Sequence, residues 1–254
     1  MKMLLGAVSG LVFAATVVQA EPEAAEKSAT PVPLAGSLVK ELPDGTVDVG
    51  GVIVDKEKRS IRFPAAVNMR KGYIEYLLVG APGKTHESAL VTQISPQFVH
   101  VAMLLLGAKG APKAEGDPAR APGNIDEAYL AQAPKIEGDP VRIEASWKID
   151  DKLTRVPVET LITMGDPPQP VPAGEWVYNG SLVIEGQFIA QADQSFITLI
   201  ADPGALVNNP RPERVKDDIW QSNPEVIPPE GTPVDIIITL TEPGSPLPKP
   251  AETP

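Results

Sequence analysis

Proline and glycine, 29 and 21 residues respectively, fall between short apolar runs along almost the whole of this chain. Proline breaks helix interiors and is confined to the edges, ends and turns of sheets. A chain punctuated in this way folds as short strands joined by turns. Apolar runs of strand length recur at Leu38–Leu42, Gly51–Asp55, Ser60–Phe63, Tyr73–Val79, Glu87–Thr92, Val141–Ile149, Ser181–Ala190, Ser195–Ile200 and Val234–Thr241. The clearest is Val141–Ile149, where odd positions are apolar or small and even positions are Arg142, Glu144, Ser146 and Lys148. Period two is the mark of a half-buried strand, here with its odd face inward.

One segment departs from this pattern. Ser95 can cap a helix, Pro96 suits its first position, Phe98–Leu106 is almost wholly apolar, and Gly107 stops it. Apolar on nearly all sides, a helix near 96–106 is expected to be buried against a sheet. Shorter helical turns are expected at Ile125–Gln132, Pro157–Ile162 and Glu213–Trp220. The expected fold is mainly β, antiparallel and sandwich-like, with one buried helix and short helical connections.

Residues 1–20 read as a cleavable signal peptide. Lys2 is followed by an uncharged run from Met3 to Val18 and by Val18-Gln19-Ala20, before acidic Glu21-Pro22-Glu23. Residues 21–36 read as a disordered leader, 37–242 as a single β-rich domain, and 243–254 as a proline-rich tail. The stretch about 107–140 reads as a flexible insertion, within which Pro112–Arg120 nearly repeats as Pro134–Arg142. The expected location is periplasmic or secreted, with no membrane insertion after signal cleavage. The net charge of −11, one unit more negative once Lys2 is removed, argues against nucleic acid or anionic membrane as partner. The chain has no cysteine, which excludes thiol catalysis, thiolate zinc sites and cysteine-ligated clusters.

Few constellations carry chemistry. Gly83-Lys84-Thr85 follows a strand, but a phosphate loop needs glycine where this chain has Leu78, and a hairpin turn at Ala81–Gly83 accounts for the same letters. His86-Glu87-Ser88 is the densest group of catalytic residue types. At the head of a strand, His86 and Ser88 would share a face and Glu87 the other, so the three alone cannot form a relay. A structural reading has His86 hydrogen-bonding within a turn and Glu87 pairing with a base such as Lys84. His100 lies on the apolar helix, where a core histidine bonded to a backbone carbonyl is the common case. Two histidines fourteen residues apart carry no zinc pattern, and no calcium loop is present, so no metal and no cofactor are expected. Asp193, Asp202, Asn208, Asn209, Asp217 and Asp218 suit turns. Trp176, Tyr178 and Trp220 are candidates for a stacking surface, whereas Trp147 belongs to the inward strand face. Asn179-Gly180-Ser181 has the form of a glycosylation sequon within a turn.

Taken in order, Ile61–Pro64, Val67–Met69, Glu75–Val79, Gly83–Ser88, His100–Ala108, Gly138–Val141, Trp176–Ser181 and Asp202–Asn208 resemble the YdjY-like family of exported bacterial proteins across roughly residues 47–240. The resemblance implies an envelope or secreted location and brings no activity with it. Ferredoxin-like descriptions sometimes applied to the family do not suit a chain without cysteine. The function expected is a non-catalytic binding or structural module of the cell envelope, whose partner is a protein or an envelope component. The alternative is a hydrolase or metal-assisted enzyme centred on His86, Glu87 and Ser88 with Asp202, which requires these side chains to converge in one cleft.

Overall fold

The computed structural model describes residues 38–112, 135–242 and 244. In chain order its strands are β1 (Val39–Glu41), β2 (Val47–Val49), β3 (Val52–Asp55), β4 (Ser60–Val67), β5 (Tyr76–Gly80), β6 (Ser88–Thr92), β7 (Asp139–Ile149) and β8 (Lys152–Pro157). There follow β9 (Ile162–Met164), β10 (Gln169–Pro170), β11 (Trp176–Tyr178), β12 (Val183–Ile184), β13 (Gln187–Phe188), β14 (Ser195–Thr198), β15 (Val207–Asn208), β16 (Trp220–Ser222) and β17 (Pro233–Leu240). Helices occupy Pro96–Leu105 and Ile189–Asp193. The signal segment, the leader, the turn expected at Ile125–Gln132 and most of the tail lie outside the described residues.

The alternation at Val141–Ile149 is strand β7, and Val141, Ile143, Ala145 and Trp147 are all buried. Its neighbours continue the pattern sideways. Ile61 of β4, Ile238 of β17 and Ile143 of β7 form one cross-strand row, and Phe63, Ile236 and Ala145 the next. Rows of this kind on one face are how a sheet builds its core. The opposite face carries charge: Arg62 pairs with Asp235 at 3.3 Å, and Arg155 of β8 grips Glu144 through two hydrogen bonds of 2.9 and 2.5 Å.

The sheet closes on itself, which corrects the sandwich expectation. Following hydrogen-bonded neighbours gives β4–β17–β7–β11–β15–β14–β5–β6 and then back to β4, an eight-stranded barrel. The closing rungs are Ala66↔Val91 and Val67↔Leu90. Two of its pairings, β5 with β6 and β14 with β15, are parallel, so the antiparallel expectation holds for six of the eight. Period-two patterning marks one buried face and is the same for a sandwich and a barrel, which is why closure does not show in it. Strands β1–β3 extend the sheet beyond β4, β8 adds to β7, and β10–β9–β16 form a separate small sheet.

The long helix begins with Pro96 and ends in a Schellman motif. Gly107, at φ +89°, donates its N–H to Leu104 O, and Ala108 donates to Met103 O. Ser95 occupies the capping position, but its hydroxyl meets Gln191 Oε1 at 2.5 Å instead of capping the helix. Pro96, Val99, Ala102 and Met103 face the sheet, while Val101, Leu104 and Leu105 are exposed. The helix therefore lies against the sheet as expected but by one stripe only, because its neighbours, β2, β3, β4 and the short helix, leave its other side open. The run expected as one strand over Ser181–Ala190 is instead the hairpin β12–β13 followed by the short helix. A 3-10 turn at Val158–Leu161 meets the expectation for Pro157–Ile162, and another at Pro212–Val215 covers only the start of Glu213–Trp220.

The end of the segment after the long helix is pinned by Asp139, whose Oδ2 accepts the N–H groups of Lys109 and Gly110 at 2.6 and 2.7 Å. Gly110 holds φ +71°, and a Cβ there would sit 2.7 Å from the carbonyl oxygen of Asn179. Gly110→Ala should lower stability by more than about 1 kcal/mol, read as a fall in Tm at roughly 2–4 °C per kcal/mol in a domain of this size. An unchanged Tm would refute this close approach of the two backbones.

Candidate functional site

Strands β5 and β6 run parallel side by side, Tyr76 opposite Ser88 and Gly80 opposite Thr92, although only residues 81–87 join them. Parallel neighbours ordinarily need a dozen or more connecting residues. Seven suffice because the chain doubles straight back along β5. Gly83 N donates to Gly80 O at 2.8 Å, Glu75 N donates to Glu87 O at 2.9 Å, and the Asn68 amide donates to both Thr85 O and Ser88 O at 2.6 and 2.7 Å. The turn at Ala81–Gly83 therefore leads into a parallel pair and not the expected hairpin.

This return path lays Lys84 and Glu87 beside Tyr76. Lys84 Nζ donates to Tyr76 Oη at 2.9 Å, lies 4.8 Å above the ring, and stands 3.7 Å from Glu87. Tyr76 donates its own proton to Asp202 Oδ2 at 3.0 Å, and Asp202 Oδ1 accepts Gly204 N–H at 2.9 Å. At the outer end, His86 Nε2 is 3.6 Å from Glu87 Oε2. The result is a polar chain from solvent to interior: His86, Glu87, Lys84, Tyr76, Asp202. Burial pushes the Asp202 carboxyl above its ordinary range, against the lowering effect of the Tyr76 and Gly204 donors. Burial and the neighbouring Asp202 raise the Tyr76 phenol, which keeps it a donor. Glu75 is also raised, by burial and then by Glu87.

The structure thus brings Glu87 and Asp202 into one network with His86 at its rim, and it sets Ser88 apart. His86 and Glu87 belong to a 3-10 turn, Thr85–Glu87, that ends before β6 begins at Ser88. The His86 side chain is 78% exposed, whereas Ser88 is fully buried and its Oγ donates to Leu90 O at 2.7 Å. The two residues do not share a strand face as expected. Lys84 pairs with Glu87 as expected, but Tyr76, the centre of the network, carried no signal in the sequence. Among the described residues, no group of three or more histidine, aspartate or glutamate side chains is placed to hold a metal ion.

The aromatic candidates are interior. Trp176 and Trp220 are fully buried, so neither presents a ring for stacking. Trp176 Nε1 donates to Glu159 Oε1 at 3.1 Å, which also accepts Gly174 N and Arg211 Nη2, each at 3.1 Å. Arg211 lies 5.1 Å above the indole. Glu159 and Arg211, both nearly buried, form a bracket that composition alone did not reveal. Trp220 Nε1 donates to Lys216 O. Tyr178, also buried, meets His100 Nδ1 at 2.7 Å, so the histidine is satisfied by a phenol and not by the expected carbonyl. The Asn179 amide of the sequon is buried and donates to Pro203 O at 2.9 Å. No helix among the described residues is long and apolar enough to cross a membrane.

Burial lowers the His100 pKa and raises that of Tyr178, so both stay neutral and share one hydrogen bond between the phenol oxygen and Nδ1. A histidine whose folded pKa lies below its unfolded value of about 6.5 supports stability fully above that value and loses the support as pH falls. The wild-type Tm should therefore fall between pH 6.5 and the lowered folded value more steeply than that of His100→Gln. Parallel Tm curves for the two proteins would contradict the assignment.

Residues 52–239 match the family model of the YdjY domain, a span from β3 into β17 that contains the whole network from Tyr76 to Asp202. No curated protein and no solved structure matches the chain. With the family model covering well over half of its length, the chain belongs to the YdjY domain family.

Proposed function

We propose that this protein is an exported module of the bacterial envelope that works by binding a protein or envelope component, and not by catalysis. The observation that carries the reading is the state of Ser88. Its hydroxyl is buried and committed to Leu90 O, whereas the His86 side chain is exposed and has its partner in Glu87. Nucleophilic catalysis requires a hydroxyl within hydrogen-bond reach of its base. Tyr76, the remaining hydroxyl of the network, both accepts from Lys84 and donates to Asp202. A phenol raised by burial is a poor nucleophile at neutral pH. Export is supported by the N-terminal pattern of Lys2, the uncharged run and Val18-Gln19-Ala20.

The enzyme alternative keeps one favourable observation, the convergence of Glu87 and Asp202 through Lys84 and Tyr76. Buried carboxyls with raised pKa do gather at catalytic sites. The two readings part on turnover. The full chain, expressed with its N-terminus intact, should be recovered from the periplasm or medium with a mass that begins at Glu21. It should show no hydrolysis of ester, amide, phosphate or glycoside reporters that His86→Ala or Asp202→Asn reduces tenfold or more. Such a variant-sensitive hydrolysis would overturn the binding reading, and a mature chain retaining Met1 would overturn export.

A further inference from the structure

The small sheet β10–β9–β16 has an outer face that the network does not use. Register places Gln221 opposite Thr163 and Thr163 opposite Pro170. Tyr73 joins this row through a bridge to Gln221. Laterally paired residues share a face, so Tyr73, Gln221, Thr163 and Pro170 form one row. The other face holds Trp220, Ser222 and Ile162, all buried. Tyr73 is 58% exposed. Beside the row opens a cleft of about 550 Å³ whose lining includes Thr163, Gln221, Lys71 and Glu225. Its amides are held in place: Gln221 Nε2 donates to Gly165 O at 3.2 Å and Asn223 Nδ2 to Thr160 O at 2.9 Å.

We infer that this face is a binding site for a neutral oligosaccharide, with one pyranose ring stacked on Tyr73 and its hydroxyls bonded by Gln221 and Thr163. The inference rests on the binding-module reading above and gives it a ligand class. Three features select that class. A pyranose offers an apolar C–H face to an aromatic ring and hydroxyls to amide and hydroxyl side chains, which are the groups this row supplies. Charge matches a neutral ligand, since Lys71 and Glu225 on the cleft balance and a chain of net charge −11 repels polyanions. A peptide adding as a strand would need a sheet edge: that of β10 is only Gln169–Pro170, where proline has no N–H to offer, and that of β16 is taken. Ser222 N donates to Gly72 O at 3.2 Å and Ile74 N to Trp220 O at 3.0 Å.

The test is calorimetry and saturation-transfer NMR on the mature chain with two soluble neutral probes, the β-1,4-linked tetramers of N-acetylglucosamine and of glucose. Heparin serves as a polyanionic control. At least one neutral tetramer should bind, with Tyr73→Ala weakening it at least tenfold and Gln221→Ala about fivefold, while Tyr73→Phe, which keeps the ring, stays within threefold. Tyr73 is exposed, so its two variants should keep the wild-type Tm, which is measured alongside for all three. No binding of either tetramer, binding that Tyr73→Ala leaves intact, or stronger binding of heparin would each overturn the site. Binding followed by cleavage of the tetramer would support the site and overturn the non-catalytic reading. Export without turnover and without sugar binding would do the reverse, so the two failures are distinguishable.

Discussion

Strand β17 is the last of the described strands and a central one in the sheet. It pairs with β4 from Pro233↔Ala66 to Thr239↔Ser60 on one side, and with β7 from Asp235↔Ser146 to Leu240↔Val141 on the other. Ile236 and Ile238 complete the two inner rows and are essentially fully buried, each contributing about 1.5–3 kcal/mol relative to exposure. Until residues 233–240 arrive, β4 and β7 have no common neighbour and the barrel cannot close. Contacts this distant in sequence make folding slow relative to local pairing. Elsewhere in the ring β4 meets β6 through Ala66↔Val91 and Val67↔Leu90. The pairing of β6 with β5 goes with the tight return that sets Lys84 against Tyr76. The polar network is thus tied to the strands that close the barrel.

Where one residue pattern has one structural outcome, the sequence was readable. The alternation at Val141–Ile149 could only be a half-buried strand, and of its odd positions only the last, Ile149, escapes burial. Pro96 and Gly107 bound the helix because each has a conformational reason to be there. Other patterns have several outcomes. Ser181–Ala190 reads as one apolar run, yet Glu185 and Gly186 at φ +50° and +79° turn it into a hairpin. Glutamate rarely adopts that conformation, so its letter gave no warning. Strands of two residues such as β10 and β15 are too short for any period to register. The exposed stripe of Val101, Leu104 and Leu105 looked like core because hydrophobic letters do not say how many sides a neighbour covers.

The candidate site divides in the same way. Glu87, Lys84 and Asp202 could be named from residue type, but what links them is Tyr76, and its role depends on a parallel pairing that no local signal announces. Trp176 and Trp220 were candidates for stacking, and a buried indole needs a partner for its N–H. Those partners, Glu159 and the Lys216 carbonyl, emerge only from the fold. Tyr73 was simply part of an apolar run until its pairing with Gln221 placed it on an outer face. Side-chain chemistry is written in the sequence, while adjacency is written in register and closure.

The central claim is that the chain from His86 to Asp202 serves the fold and not a reaction. Its most direct test is the Tm of Tyr76→Phe at pH 7 without any ligand. A structural network should lose about 1–3 kcal/mol when the Asp202 carboxyl is left buried without its phenol donor, seen as a Tm lower by several degrees, at roughly 2–4 °C per kcal/mol. Catalytic groups are commonly held at a cost to stability, and removing one tends to leave the fold unchanged or firmer. An unchanged or higher Tm in Tyr76→Phe would contradict the account and return the network to the enzymes.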